Sequence, residues 1–186
     1  MSRSAKKILN IAEQLFNQHS FVAVGVDLIR DESGCSKTTL YTHFKNKQQL
    51  VCSVLQQRDL RFRDSLIAFV DEYRGSDALE KILLWHQNWF QTDHFKGCLF
   101  VRAVGESSQQ DLELIEISRQ HKFWLRAFIF EHIQDLKFPH QITEITFNLL
   151  EGLISRFLVE MYDEKVFLEA QNSLQLFVKT LQLTTE

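Results

Sequence analysis

Ser33 to Lys47 reads SGCSKTTLYTHFKNK, and within it only Leu40 and Phe44 are core-forming. Gly34 and the Cys35 thiol apart, the remaining side chains are hydroxyls, an imidazole, an amide and ammonium groups. Donors of this kind suit a polyanion: lysine meets phosphate, and a tyrosine hydroxyl stands on a rigid arm. Threonine adds a hydroxyl and a methyl that packs on a thymine methyl. The same residues do not make a reaction centre. Neither here nor elsewhere does the chain show a local Ser/His/Asp, Cys/His or paired-carboxylate set. The seven histidines stand singly, His86 and His94 lie eight apart across an expected helix end, and no H-E-x-x-H or cysteine pair suggests a metal. No glycine-rich phosphate loop is present. The chain is therefore expected to be neither an enzyme nor a holder of metal or cofactor.

Composition agrees with a binding role. The 186 residues suffice to bury a real core, whether as one large domain or as a small one joined to a larger. With six glycines and one proline between long periodic apolar stretches, the composition is that of an all-helical protein. Net charge is −3, but residues 1–50 carry seven Lys/Arg against four Asp/Glu and the remainder carries fourteen against twenty. A basic head on an acidic body is the asymmetry expected when the head alone meets a polyanion. Cys35, Cys52 and Cys98 are odd in number and far apart, which reads as reduced thiols in a cytoplasmic protein. No apolar run reaches bilayer length and the start MSRSAKK has no signal-peptide core behind it, so no membrane partner is expected.

The elements that must position the polar face follow from periodicity. Ile8, Ile11, Ala12, Leu15 and Phe16 make one stripe of a helix over Ser4–His19. A short helix over Val26–Ser33 ends at Gly34, which tolerates the left-handed backbone of a tight turn. Ser36 is an N-cap for a third helix, Lys37 to about Phe44, and Asn46 for a long fourth one that ends before Gly75. Further helices are expected from a Ser76 or Asp77 cap through Phe90, near Cys98–Gly105, over Asp111–Leu136, over Pro139–Met161 and over Lys165–Leu181, with breaks at Thr92–Gly97 and Glu106–Gln110. Two short helices about a glycine turn with a third packed behind form a helix-turn-helix. Its second helix exposes Lys37, Thr38, Thr39, Tyr41, Thr42 and His43 and anchors through Leu40 and Phe44. Lys47, first in the next helix, can meet a phosphate alongside backbone N–H groups.

Residues 8–50, and most specifically SGCSKTTLYTHFKNKQQL, resemble the N-terminal DNA-binding domain of the TetR (tetracycline-repressor-like) family of bacterial transcriptional regulators. The resemblance covers the turn glycine and serine, the T-L-Y and H-F pairs, and the lysine opening the fourth helix. It implies an all-α fold, with a three-helix helix-turn-helix head at 1–46 and an effector-binding and dimerisation body at 47–186. It also implies that Lys37, Thr38 and Thr39 carry base and phosphate contacts. Tyr41 and His43 lie against the DNA backbone, Thr42 shares that face, and Lys47 takes a phosphate. Three features depart from the family pattern: Ser20 for glycine, Val24-Gly25 for the hydroxyl pair opening helix two, and Arg30 where a small alanine is common. Arg30 must turn outward, toward Asp27 or Asp31.

The partners implied are double-stranded operator DNA, a small-molecule effector and a second copy of the chain, since one helix-turn-helix reads too few base pairs alone. The greasy helices Pro139–Met161 and Phe167–Leu181 are the expected homodimer seam, where Gly152 allows a close crossing. Trp85, Trp89, Phe100, Trp124 and Phe147 are the expected ligand-binding residues, set against the alternative that such rings simply fill the core. The function this points to is a repressor released from its operator by an effector. Two rivals stand beside it: an effector-independent DNA-binding protein, and a helical small-molecule-binding protein or enzyme whose head is vestigial.

Overall fold

In the computed structural model, which describes residues 1–183, the chain is all α, with no strand among the described residues. The helices are α1 (Arg3–Gln18), α2 (Val26–Ser33), α3 (Lys37–His43), α4 (Lys47–Val70), α5 (Gly75–Phe90), α6 (Leu99–Glu106), α7 (Leu112–Ile133), α8 (Pro139–Glu160) and α9 (Glu164–Leu183). Residues 184–186, the end of the expected second domain, lie outside the described residues.

Local chemistry explains where the first helices start and stop. The Ser2 hydroxyl accepts the Ala5 N–H at 3.1 Å and opens α1. Gly34 ends α2 in the left-handed region at φ 60°, a conformation that disfavours any residue with a Cβ. The Ser36 hydroxyl then accepts the Thr39 N–H at 3.0 Å and opens α3. At α4 the Asn46 side chain accepts the Gln49 N–H at 2.8 Å while Gln49 reaches back to the Lys45 N–H at 2.7 Å. This reciprocal arrangement is close to a capping box.

Most boundaries fall within two residues of the sequence expectation, and two of the differences are informative. A Ser76 or Asp77 cap does not open α5; that helix begins at Gly75, at φ 60°, after Arg74. The seventh helix stops at Ile133 rather than Leu136. Further on, Pro139 disfavours the right-handed helical conformation in its predecessor. Phe138 accordingly sits at φ 58° and the chain turns sharply into α8.

The chain forms two compact units, residues 1–61 with 98–121, and residues 62–97 with 122–186. The division between the units on this side falls within α4, at residue 61. In the first unit, α1, α2 and α3 pack on one another. Ile8, Leu9, Ala12, Phe16, Ile29, Leu40, Leu50 and Leu55 share one buried cluster with Leu99, Phe100 and Ala103 of α6. Glu13 of α1 holds α4 through Arg58, at 3.0 Å, and through Arg61. Cys52 is buried in this cluster. Burial first, then Glu113 and Asp111, push its thiol up to about 11, so it carries almost no thiolate near neutrality.

In the second unit, α8 packs against both α5 and α9. Phe90 of α5 lies 5.2 Å, centroid to centroid, from Phe157 of α8. Gly97 has φ 73°, where a side chain is strained, and a Cβ there would stand 2.9 Å from Leu158 Cδ2, which would have to shift. Among the described residues no helix is long and apolar enough to cross a membrane.

Candidate nucleic-acid interface and effector region

Helix α3 divides its seven residues cleanly. Leu40 is fully buried and Phe44, just past the end, is 5% exposed. Lys37, Thr38, Tyr41 and Thr42 are exposed on the opposite side. Lys37 and Tyr41, Thr38 and Tyr41, and Thr38 and Thr42 are three or four residues apart, which makes one broad helix face, and the four line a shallow open recess of about 530 Å³. Tyr41 stands 43% exposed, a large ring in partial contact with water. The Thr42 hydroxyl donates to the Thr38 carbonyl at 2.8 Å and keeps its lone pairs for an incoming donor.

The other three expected residues are less open. Thr39 is half-buried, and its hydroxyl lies 2.8 Å from that of Ser36. His43 faces the start of α1, with its Nε2 2.8 Å from the Ser4 hydroxyl and 3.1 Å from that of Ser2. Its ring therefore ties the end of α3 to the first turn of α1. Lys47 is half-buried and donates to the Val22 carbonyl at 3.4 Å. Burial lowers its pKa, and the nearby Glu106 charge partly offsets that.

The departures from the family pattern also find their places. Val24 is 1% exposed, a core residue that cannot touch a phosphate. Arg30 turns outward as expected, with Nη1 2.9 Å from Asp27 and Nη2 2.7 Å from Asp31. Its pKa is raised, chiefly by the hydrogen bond to Asp31. Asp27 also lies 3.4 Å from the Lys37 ammonium, so one acidic residue steadies both cations at the edge of the face.

Of the five expected ligand-binding residues, four belong to the second unit and Phe100 to the first. Phe100 is 2% exposed and stacks on His121 at 3.8 Å. His121 Nδ1 in turn lies 2.8 Å from Asp59. In the second unit, Phe62 gathers Trp85 at 4.8 Å and Trp124 at 6.3 Å. Trp85 and Trp89 are 6.3 Å apart, the Trp85 indole donates to Ser65 at 3.0 Å, and the Arg63 guanidinium lies over Trp124 at 5.0 Å. All three tryptophans are half-buried, so each keeps an accessible edge. Phe147, also half-buried, lies under the Arg126 guanidinium at 5.3 Å.

Sequence reasoning missed Phe62 and Ser65, which lie on α4 and complete the tryptophan cluster. It also missed Arg102 and Glu106 of α6, whose partners lie more than eighty positions away and leave no local signature.

Comparison with known proteins agrees with this geometry. Residues 8–54 match a family described as bacterial regulatory proteins, tetR family. The TetC protein of transposon Tn10 from Escherichia coli is 24% identical over 79% of this chain and 74% of its own length. The transcriptional activator FasR of Mycolicibacterium smegmatis is 38% identical over 34% of this chain and 27% of its own. Among solved structures, SCO4454, a TetR-family transcriptional regulator from Streptomyces coelicolor, superposes with a TM-score of 0.84 at 19% identity, covering 96% of each chain. Residues 8–54 thus carry the signature of the tetR family of bacterial regulatory proteins, and the all-helical fold around them is similar to that of solved TetR-family regulators.

Proposed function

We propose that the protein is a homodimeric repressor that leaves its operator when a small molecule occupies the body. The observation that carries the DNA-binding part is the split of α3, with Leu40 and Phe44 buried and Lys37, Thr38, Tyr41 and Thr42 outward. A short helix anchored so firmly and polar on its free side presents donors to base edges in a major groove. Lys37 and Lys47 supply the phosphate contacts that give affinity and salt dependence. The half-buried cluster of Trp85, Trp89 and Trp124 supports an effector that is mostly apolar and aromatic, because such rings bind by stacking and area burial. A coupling of roughly 1–3 kcal/mol between that site and the head changes DNA affinity about 5- to 150-fold.

Selection of duplex fragments from the source genome tests the reading. The expected fragments are near-palindromic, with half-sites about 34–36 Å apart, one turn of DNA. Sequence-indifferent recovery would refute operator recognition. Compounds that release the recovered duplex should also quench tryptophan emission, and release without quenching would place the effector elsewhere.

The dimer has its own support on α8 and α9. Ile145, Val159, Leu168, Leu176 and Leu183 are large, apolar and exposed. Gly152 stands among the exposed residues of α8 with nothing within 4 Å of where a Cβ would go. Such a glycine does nothing for its own chain and lets a second helix approach closely. Gly152→Glu should therefore leave the fold intact, even favouring the helix by up to about 1 kcal/mol. The same change should convert a particle of twice 21.9 kDa into one of 21.9 kDa in sedimentation. A variant that stays dimeric would move the seam off this face.

A further inference from the structure

Helix α6 grips the corner between α1 and α2 with two side chains four residues apart, on one face of that helix. The Arg102 guanidinium donates to the carbonyls of Asn17 at 3.0 Å and Phe16 at 3.2 Å, at the C-terminal end of α1. A cation there is well placed, since those carbonyls have no helical partners and carry the negative end of the helix dipole. One turn on, Glu106 Oε2 accepts the Val22 N–H at 3.2 Å. The other side of the same residue, the Val22 carbonyl, accepts from Lys47 at 3.4 Å. A carboxylate and an ammonium thus hold one exposed residue from opposite sides, and the ammonium is the one assigned above to phosphate.

We propose that Glu106 sets the protein's DNA affinity by competing with phosphate for Lys47. In the DNA-free chain the ammonium sits at the Val22 carbonyl within the field of Glu106. To reach a phosphate it leaves that carbonyl and works against the carboxylate's attraction. Glu106 is therefore a positioning residue: it acts on DNA through Lys47. Burial and Glu106 pull the lysine's proton affinity in opposite directions, as expected of an ammonium held between a half-buried wall and one carboxylate. The proposal rests on the phosphate role of Lys47, and the experiment separates the two.

The test is a double-mutant cycle of Glu106→Gln and Lys47→Gln, read by anisotropy on a labelled duplex of arbitrary sequence about three helical turns long. Sequence does not matter here, because a phosphate contact acts on any duplex. Glutamine keeps an acceptor for the Val22 N–H and removes only the charge. Glu106→Gln should tighten binding about two- to fivefold at low salt, the scale of an exposed to half-buried ion pair, and the gain should vanish in the Lys47→Gln background. Glu106→Ala, which also gives up the Val22 hydrogen bond, should show the same gain, since the charge and not the bond is responsible. An equal gain with and without Lys47 would reduce Glu106 to plain repulsion of DNA and overturn the proposal, as would no gain at all. If Lys47→Gln alone leaves binding unchanged, the phosphate role itself fails, a result visible before any Glu106 variant is made.

Discussion

A chain carrying Tyr41→Ala and Lys47→Ala should bind its operator about a hundredfold more weakly than the unaltered protein, with its melting temperature within about 2 °C. Each lost contact appears twice in a dimer. Two copies of a contact pair worth about 1.4 kcal/mol per half-site together give the hundredfold loss. The salt dependence should change as well. Removing one phosphate-binding lysine per protomer lowers the slope of log K against log salt by about 1.8, at about 0.9 per neutralised phosphate. Stability is spared because Tyr41 is exposed, the packing of α3 runs through Leu40, and Lys47 gives up a single long bond to the Val22 carbonyl at 3.4 Å. Affinity measured at several salt concentrations on a recovered operator gives both numbers. An unchanged affinity would remove α3 from the interface, and an unchanged slope would assign the whole loss to Tyr41.

One position earlier the expected result reverses. Leu40 is fully buried and is the anchor that holds α3 on the head. Leu40→Ala deletes the side chain and leaves a cavity, at a cost of about 2–5 kcal/mol. In a chain of this size each kcal/mol lowers the melting temperature by about 2–4 °C, so calorimetry should show a fall of about 10 °C. DNA binding should be lost along with the order of α3, because an unanchored recognition helix must be reordered at every encounter. Leu40→Met, which nearly conserves volume, should retain most of both stability and binding. If Leu40→Ala binds DNA normally at its own reduced stability, the rigidity assigned to α3 is not what binding requires.

These neighbouring residues also mark how far the chain could be read from its letters. Glycine at 34, serine at 36 and asparagine at 46 bracket α3 and open α4 through contacts with residues no more than three or four positions away. Interactions of that range are written into local sequence, and so was the outward turn of Arg30 between Asp27 and Asp31. The start of α5 and the turn into α8 depend on residues in the left-handed region, Gly75 and Phe138. Backbone conformations of this kind are weakly encoded by side-chain pattern.

By itself, the sequence determined that the chain is all-helical, that a helix-turn-helix occupies its start, and which short face of it is polar. Hydrophobic period and capping act within one turn of helix, so they need no knowledge of the rest of the molecule. Tertiary structure alone decided which of those polar groups are at liberty. It turned His43 toward Ser2 and Ser4, lodged Lys47 at Val22, buried Val24, and assigned Phe100 to a different unit from the three tryptophans. The clamp of Arg102 and Glu106 on the α1–α2 corner was equally out of reach. Its partners are separated by more than eighty residues, and only the packing of α6 into the head's own core brings them within hydrogen-bonding distance.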